Sequence, residues 1–145
     1  MNVIITGASG MIGKGVLYEC LDHPAIDKIL TIGRSTLDLE HLKLNQITHS
    51  DFSDYSSLKD QLMGFDACFL IMGISAAGLS EVKYKTITHD YTIALAQLLY
   101  ELNPNMTCIY VSGVGTDSSE KGRIMWARVK GKTENDLLAL GFPSI

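Results

Sequence analysis

The chain opens on the stretch Asn2–Leu21, NVIITGASGMIGKGVLYECL, which restricts the fold more than any other part of the sequence. A short apolar run, Val3–Ile5, meets Thr6, and glycines follow at three-residue spacing: Gly7, Gly10 and Gly13. Ile12, Val16 and Leu17 then fall on one face at helical spacing. The expected local structure is strand, tight turn, helix, the context in which such a glycine pattern has physical meaning. Gly7 lets the chain turn at the strand end. Gly10 allows the backbone to approach a pyrophosphate closely, and Gly13 lets the helix lie tight on the strand. Free N–H groups at the helix start, with the positive end of the dipole, then face the phosphates. The candidate nucleotide-binding residues of the turn are Gly7, Ser9, Gly10, Met11, Ile12 and Gly13. Glycines in a loop by themselves would make only a loop.

The rest of the chain alternates in kind. Asp22-His23-Pro24 breaks the first helix, because proline disfavours helix in the residue before it. Lys28–Ile32 reads as a second strand and ends in Gly33-Arg34-Ser35, about twenty residues beyond Gly13. An acidic side chain at that place would grip the ribose 2′-hydroxyl of NAD. None stands there, and Arg34 offers a fixed, permanently charged fork suited to a 2′-phosphate. The plainer alternative is a solvated arginine after a strand. Thr36–Leu44 is expected to be a loop with some helix, and Gln46–His49 a short third strand ending at Asp51-Phe52. A helix is expected over Ser56–Met63, for which Asp51 and Ser53 are candidate caps. Ala67–Ile71 is a continuous apolar run suited to a central parallel strand. Met72 and Gly73 follow it at the carboxyl end of the sheet, where ligands bind in open α/β folds.

A long helix is expected over Val82–Leu102, with Ile87, Tyr91, Ala94, Leu95, Leu98, Leu99 and Leu102 as its buried stripe. His89, near its middle, reads as a solvated or hydrogen-bonded residue. Asn103-Pro104-Asn105 stops this helix, and Thr107–Val111 is a fifth strand. A loop rich in glycine and serine runs from Ser112 to Gly122 and is long enough to line a site. The last helix is expected over Ile124–Leu140, closed by Gly141. Five strands alternating with helices define an α/β fold, a doubly wound, mostly parallel sheet of the Rossmann type.

Composition narrows the function classes. At 145 residues the chain suits one domain, with 46% hydrophobic and 19% charged residues. A net charge of −4 gives no general pull toward nucleic acid or anionic membranes. Cys20, Cys68 and Cys108 sit inside apolar patterns without metal-ligand spacing, as expected of buried thiols. With a strand at the very start and no apolar segment of membrane-spanning length, the expected location is the cytoplasm.

The motifs TGASGMIG at Thr6–Gly13, Gly33-Arg34, Asp51-Phe52, YVSGVGTDSS at Tyr110–Ser119 and WARVKGKTE from Trp126 resemble the short-chain dehydrogenase/reductase superfamily in order and spacing. The closest likeness is to its atypical or extended, epimerase-like NAD(P)-binding branch. The resemblance implies that Asp51 and Phe52 hold adenine, that Met72 and Gly73 flank the cofactor's ribose and nicotinamide, and that Lys130 holds the ribose. It implies NADP as cofactor, with NAD less favoured, and an oxidoreductase or epimerase-like reaction on a small carbonyl or hydroxyl substrate. In catalytic members a tyrosine precedes the lysine by four residues, on the same helical face, where the ammonium lowers the phenol's pKa. Here Trp126 stands in that position, and an indole N–H cannot exchange a proton near neutral pH. Ser112 or Gly113 occupies the place of the serine that polarises a substrate carbonyl, and Lys130 is open to a plain reading as a surface lysine. Tyr84, Tyr91, Tyr110 or a water are the substitute acids the sequence offers. Three other readings follow: an NADP(H)-binding sensor or interaction module, a flavin-binding flavodoxin-like protein, or a scaffold with no ligand. Related proteins continue beyond Phe142–Ile145 into a sixth strand and a small substrate-binding part. An unfinished sheet edge there favours self-association as a homodimer.

Overall fold

Strand β1 (Asn2–Thr6) lies at the centre of the sheet because both of its faces are apolar. A computed structural model describes residues 1–145. Val3 and Ile5 point to one face with Ile29 and Ala67, where α1 (Met11–Asp22) covers them with Leu17, Cys20 and Leu21. Ile4 points to the other with Leu30, Cys68 and Cys108, and the helices that follow the third and fourth strands cover that side. Beside β1 lie β2 (Lys28–Gly33) and β4 (Ala67–Leu70). Outside them are β3 (Leu44–Thr48) and β5 (Thr107–Tyr110). The order is β3-β2-β1-β4-β5, and every pairing is parallel. The strand order therefore reverses between β1 and β4, and a crevice opens at their carboxyl ends.

The connections follow the sequence closely, with informative departures. The segment before β3 carries no helix; Gln46 holds it instead, its side-chain amide bonding the backbone of Leu37 and Leu39. A 3₁₀ turn, Ser56–Leu58, leads into α2 (Lys59–Leu62). The long helix runs as α3 (Glu81–Lys85), a π turn at Thr86–Asp90, and α4 (Tyr91–Leu102). The π turn adds a residue to one turn of helix and shifts the buried face. Tyr84, Thr88 and Thr92 are inside, while Ile87 and Tyr91 are only half-buried. Helix α5 (Met125–Leu140) ends at Gly141 in the left-handed conformation. All three cysteines are free and buried.

The π turn also buries His89 between α4 and α5. Its Nδ1 lies 2.7 Å from Asp90 Oδ1 and its Nε2 2.7 Å from Asp136 Oδ2. Each ring nitrogen thus faces a carboxylate oxygen, a group that only accepts when ionised. Lys85 bonds Asp90 at 2.5 Å and Lys132 bonds Asp136 at 2.9 Å, completing a bridge between the two helices. Burial pushes both carboxyls up, but the hydrogen bonds from His89 and the lysines outweigh it, and both lie below the ordinary aspartate range. A carboxyl whose pKa is lowered by folding stabilises the fold above its unfolded value near ~3.9 and loses that effect as pH falls through the folded value. Asp136→Asn is therefore expected to lower the melting temperature at neutral pH. The gap from the unaltered protein should close as pH falls through the folded carboxyl's lowered value, as calorimetric scans across pH would show.

Candidate functional site

Two clefts open on either side of Gly7, at the carboxyl end of β1. The larger, about 490 Å³, is lined by Gly7 and Gly10 to Gly13 of the turn, Ile71 to Ser75 after β4, Val111 and Ser112 after β5, and Lys130 of α5. The smaller, about 90 Å³, is lined by Gly7, Ala8 and Ser9 together with Thr31 to Ser35 and Leu37. Gly7 is shared, so the pair forms one crevice that straddles the first turn.

Local geometry explains why this turn is made of glycine. Gly7 has φ +68°, and a Cβ there would lie 2.7 Å from the Ile71 carbonyl oxygen. A Cβ at Gly13 would lie 2.1 Å from the carbonyl oxygen of Gly7, so α1 rests directly on the turn. Gly10 precedes α1 and offers no side-chain cap. The first N–H groups of that helix therefore have no internal partner, and Met11, Ile12 and Gly13 line the larger cleft. An uncapped helix start beside a turn too tight for a Cβ fits a pyrophosphate.

Arg34 is exposed on the smaller cleft and pairs with no carboxylate. Lys14 is turned to the Tyr18 ring, its ammonium 5.8 Å from the centroid, and is no neighbour of Arg34 along the cleft lining. Met72 and Gly73 line the larger cleft, as does Ser112. Asp51 and Phe52 line neither cleft. Asp51 Oδ1 accepts from the N–H of Ser53 at 3.0 Å and from its hydroxyl at 2.5 Å, which holds the carboxyl below its ordinary range. Phe52 packs edge-on to Tyr55 and tilted against Tyr91. Asp51 thus closes a local turn with Ser53 and does not cap the helix that follows, whose first N–H, that of Ser56, goes to Asp54 instead.

On α5, Trp126, Lys130 and Glu134 recur at four-residue steps and share a face. The indole packs toward Gly113 and does not line the cleft. Lys130 Nζ donates to the Val111 carbonyl at 3.2 Å and lies 5.2 Å from the Tyr110 ring centroid. Burial lowers its pKa, and the Glu134 carboxylate partly offsets this. Glu134 accepts the hydroxyl of Ser112 on Oε1 and that of Thr116 on Oε2, the latter at 3.0 Å. It was not among the residues expected of the site; counting four residues on from Lys130 along one helical face would have found it. None of the substitute tyrosines lines the cleft. Tyr84 is buried, Tyr91 packs on Phe52, and burial pushes the Tyr110 phenol up to about 12.

The chain has a Rossmann fold, a five-stranded parallel sheet alternating with helices. Solved structures of this fold superpose on nearly all of it. ADP-L-glycero-D-manno-heptose-6-epimerase of Helicobacter pylori matches at TM-score 0.72 and 17% identity, over 95% of this chain and 50% of its own. UDP-glucuronic acid 4-epimerase of Bacillus cereus, solved in complex with NAD, matches at 0.70 and 16%, over 97% and 52%. Triphenylmethane reductase of a Citrobacter species, complexed with NADP(H), matches at 0.66 and 18%, over 99% and 47%. At these identities the likeness is one of fold. By sequence the chain is 32% identical over 146 residues to the mitochondrial protein FMP52 of Kluyveromyces lactis, covering 98% of this chain and 62% of that protein. It is 31% identical over 148 residues to mitochondrial FMP52 of Saccharomyces cerevisiae, covering 100% and 62%. The chain thus spans about three fifths of these relatives. No family model matches it. The relatives overturn the cytoplasmic expectation, since they are named as mitochondrial proteins. Absence of a leader-like pattern before β1 carried that expectation, and a pattern at one end of a chain is weak ground for a location.

Proposed function

We propose that this chain is the NADP(H)-binding part of an oxidoreductase or epimerase-like enzyme acting on a small carbonyl or hydroxyl compound. One observation carries the reading: the crevice around Gly7 joins an uncapped helix start on one side to an unpaired guanidinium, Arg34, on the other. Superfamily neighbours of this fold were solved with NAD or NADP, which supports a nicotinamide dinucleotide as the ligand. When bound, the dinucleotide supplies a two-electron donor or acceptor. The turn N–H groups then hold pyrophosphate, Arg34 the 2′-phosphate, and Lys130 the ribose hydroxyls at the mouth of the larger cleft. Met72 and Gly73 wall the ribose and nicotinamide end. Calorimetry with NADPH and NADH on the folded chain tests the reading. Heat of binding with NADPH, weaker with NADH, is the expected result; no heat with either overturns it.

A second reading rests on Trp126. An indole in place of the phenol favours a domain that binds NADP(H) without turnover, as a sensor or interaction module. Tight NADPH binding with no oxidation by any of a panel of carbonyls and quinones would select it.

A further inference from the structure

The larger cleft has no phenol, yet it has a hydroxyl with a carboxylate behind it. Ser112 lines the cleft, and its Oγ–H is donated to Glu134 Oε1. A carboxylate only accepts, so the serine proton is committed to it and the oxygen's lone pairs are left free. Thr116 holds the second carboxylate oxygen, fixing the plane of the group, and Lys130 sits one helical turn before it. A hydroxyl committed in this way cannot donate to a substrate carbonyl. It can accept from a substrate O–H.

Resting on the NADP(H) reading above, we propose that Ser112 and Glu134 form a proton relay that takes the place of the tyrosine that Trp126 displaces. Ser112 is the catalytic residue, and Glu134 is the positioning residue that acts through it. In alcohol oxidation the substrate O–H bond breaks and its proton goes to Ser112 Oγ. The original Oγ–H bond breaks in the same step, and that proton passes to Glu134 Oε1. The C–H bond of the carbinol carbon breaks, its hydrogen and electron pair leave for the oxidised nicotinamide dinucleotide, and the C=O bond forms. In this direction Glu134 receives the proton, so it enters the step as a carboxylate with Oε1 already accepting from Ser112. Reduction runs the same path backwards and needs Glu134 protonated, so the arrangement favours oxidation.

The full chain is assayed with NADP⁺ and 4-nitrobenzyl alcohol, after calorimetry has given the NADP⁺ affinity of each variant. The unaltered protein is expected to oxidise the alcohol, and its rate is recorded across pH. Glu134→Gln, which keeps an acceptor for the hydroxyls, is expected to lose roughly 10²- to 10³-fold in kcat. Its NADP⁺ affinity and the hydrogen-exchange protection of residues 112–116 should hold. Adding Trp126→Tyr to Glu134→Gln should restore at least about tenfold, with a rate that now rises with pH as a phenol takes over. The relay is overturned if Glu134→Gln keeps the original rate and profile. It is also overturned if the loss comes with lost protection at 112–116 and no rescue, or if the unaltered protein binds NADP⁺ and leaves the alcohol untouched. Failure of NADP⁺ to bind at all overturns the reading on which the relay rests.

Discussion

Gly13→Ala is expected to remove dinucleotide binding and to weaken the fold at once. The added Cβ would sit 2.1 Å from the Gly7 carbonyl oxygen, 2.6 Å from its carbon and 3.0 Å from Ala8 Cα. All three are backbone atoms, so no side chain can rotate away. Either α1 lifts from β1 or the turn opens, and each shifts the N–H groups that line the cleft. Overpacking of this kind costs about 3 kcal/mol, a fall of roughly 10 °C in melting temperature for a chain of this size. NADPH affinity is expected to drop by more than about 100-fold, because the turn and the helix start move together. Gly10→Ala separates the two effects. Its Cβ would lie 3.3 Å from the Gly7 oxygen, a tight contact that a small shift relieves, on an exposed residue. It should melt within about 2 °C of the unaltered protein yet bind NADPH roughly tenfold more weakly, through contact with the ligand. Equal melting and equal affinity for Gly13→Ala would contradict the packing described for the turn.

That turn was legible in the sequence because its constraints are local. A glycine with positive φ and a glycine under a helix leave their mark at fixed spacing, and the apolar run before them fixes the strand. The strands β1, β2 and β4 were legible for a related reason: a strand buried on both faces needs a largely continuous apolar run. What escaped the sequence was set by packing between distant segments. The π turn at Thr86–Asp90 has no glycine or proline to announce it, so the helix was read with one uninterrupted period. The first part of the buried stripe consequently slipped by one residue, giving Ile87 and Tyr91 where Thr88 and Thr92 are inside, while Leu95, Leu98 and Leu99 are buried as expected. His89 read as a solvated or hydrogen-bonded residue, and it is the second, joining two helices through carboxylates on both sides. Glu134 escaped for the opposite reason. A glutamate on a helix is ordinarily a solvated residue, and only the return of the β5–α5 loop brings Ser112 and Thr116 onto it. For Asp51 the cap and adenine readings stood level in the sequence, and the structure places Oδ1 in the local turn with Ser53.

Cofactor choice turns on one side chain, and its removal is expected to change discrimination more than affinity for the common part of the ligand. Arg34→Ala should weaken NADPH binding roughly 10- to 100-fold, the range expected for hydrogen bonds to a charged group. NADH affinity should stay within about threefold, since the rest of the dinucleotide meets the unaltered glycine turn. Arg34→Asp should invert the preference, because a carboxylate there repels a phosphate and accepts from a ribose hydroxyl. The guanidinium is exposed, so its contribution is open to screening, and NADPH affinity should fall more steeply with salt than NADH affinity. Lys14 supplies the control. Its ammonium is turned to the Tyr18 ring, so Lys14→Ala should leave the NADPH-to-NADH ratio where it was. Titrations of both dinucleotides at two salt concentrations decide the matter. Parallel losses for NADPH and NADH in Arg34→Ala would mean that the arginine shapes the β2 end without reading the phosphate. A loss confined to NADPH, abolished at high salt, would place the phosphate against Arg34.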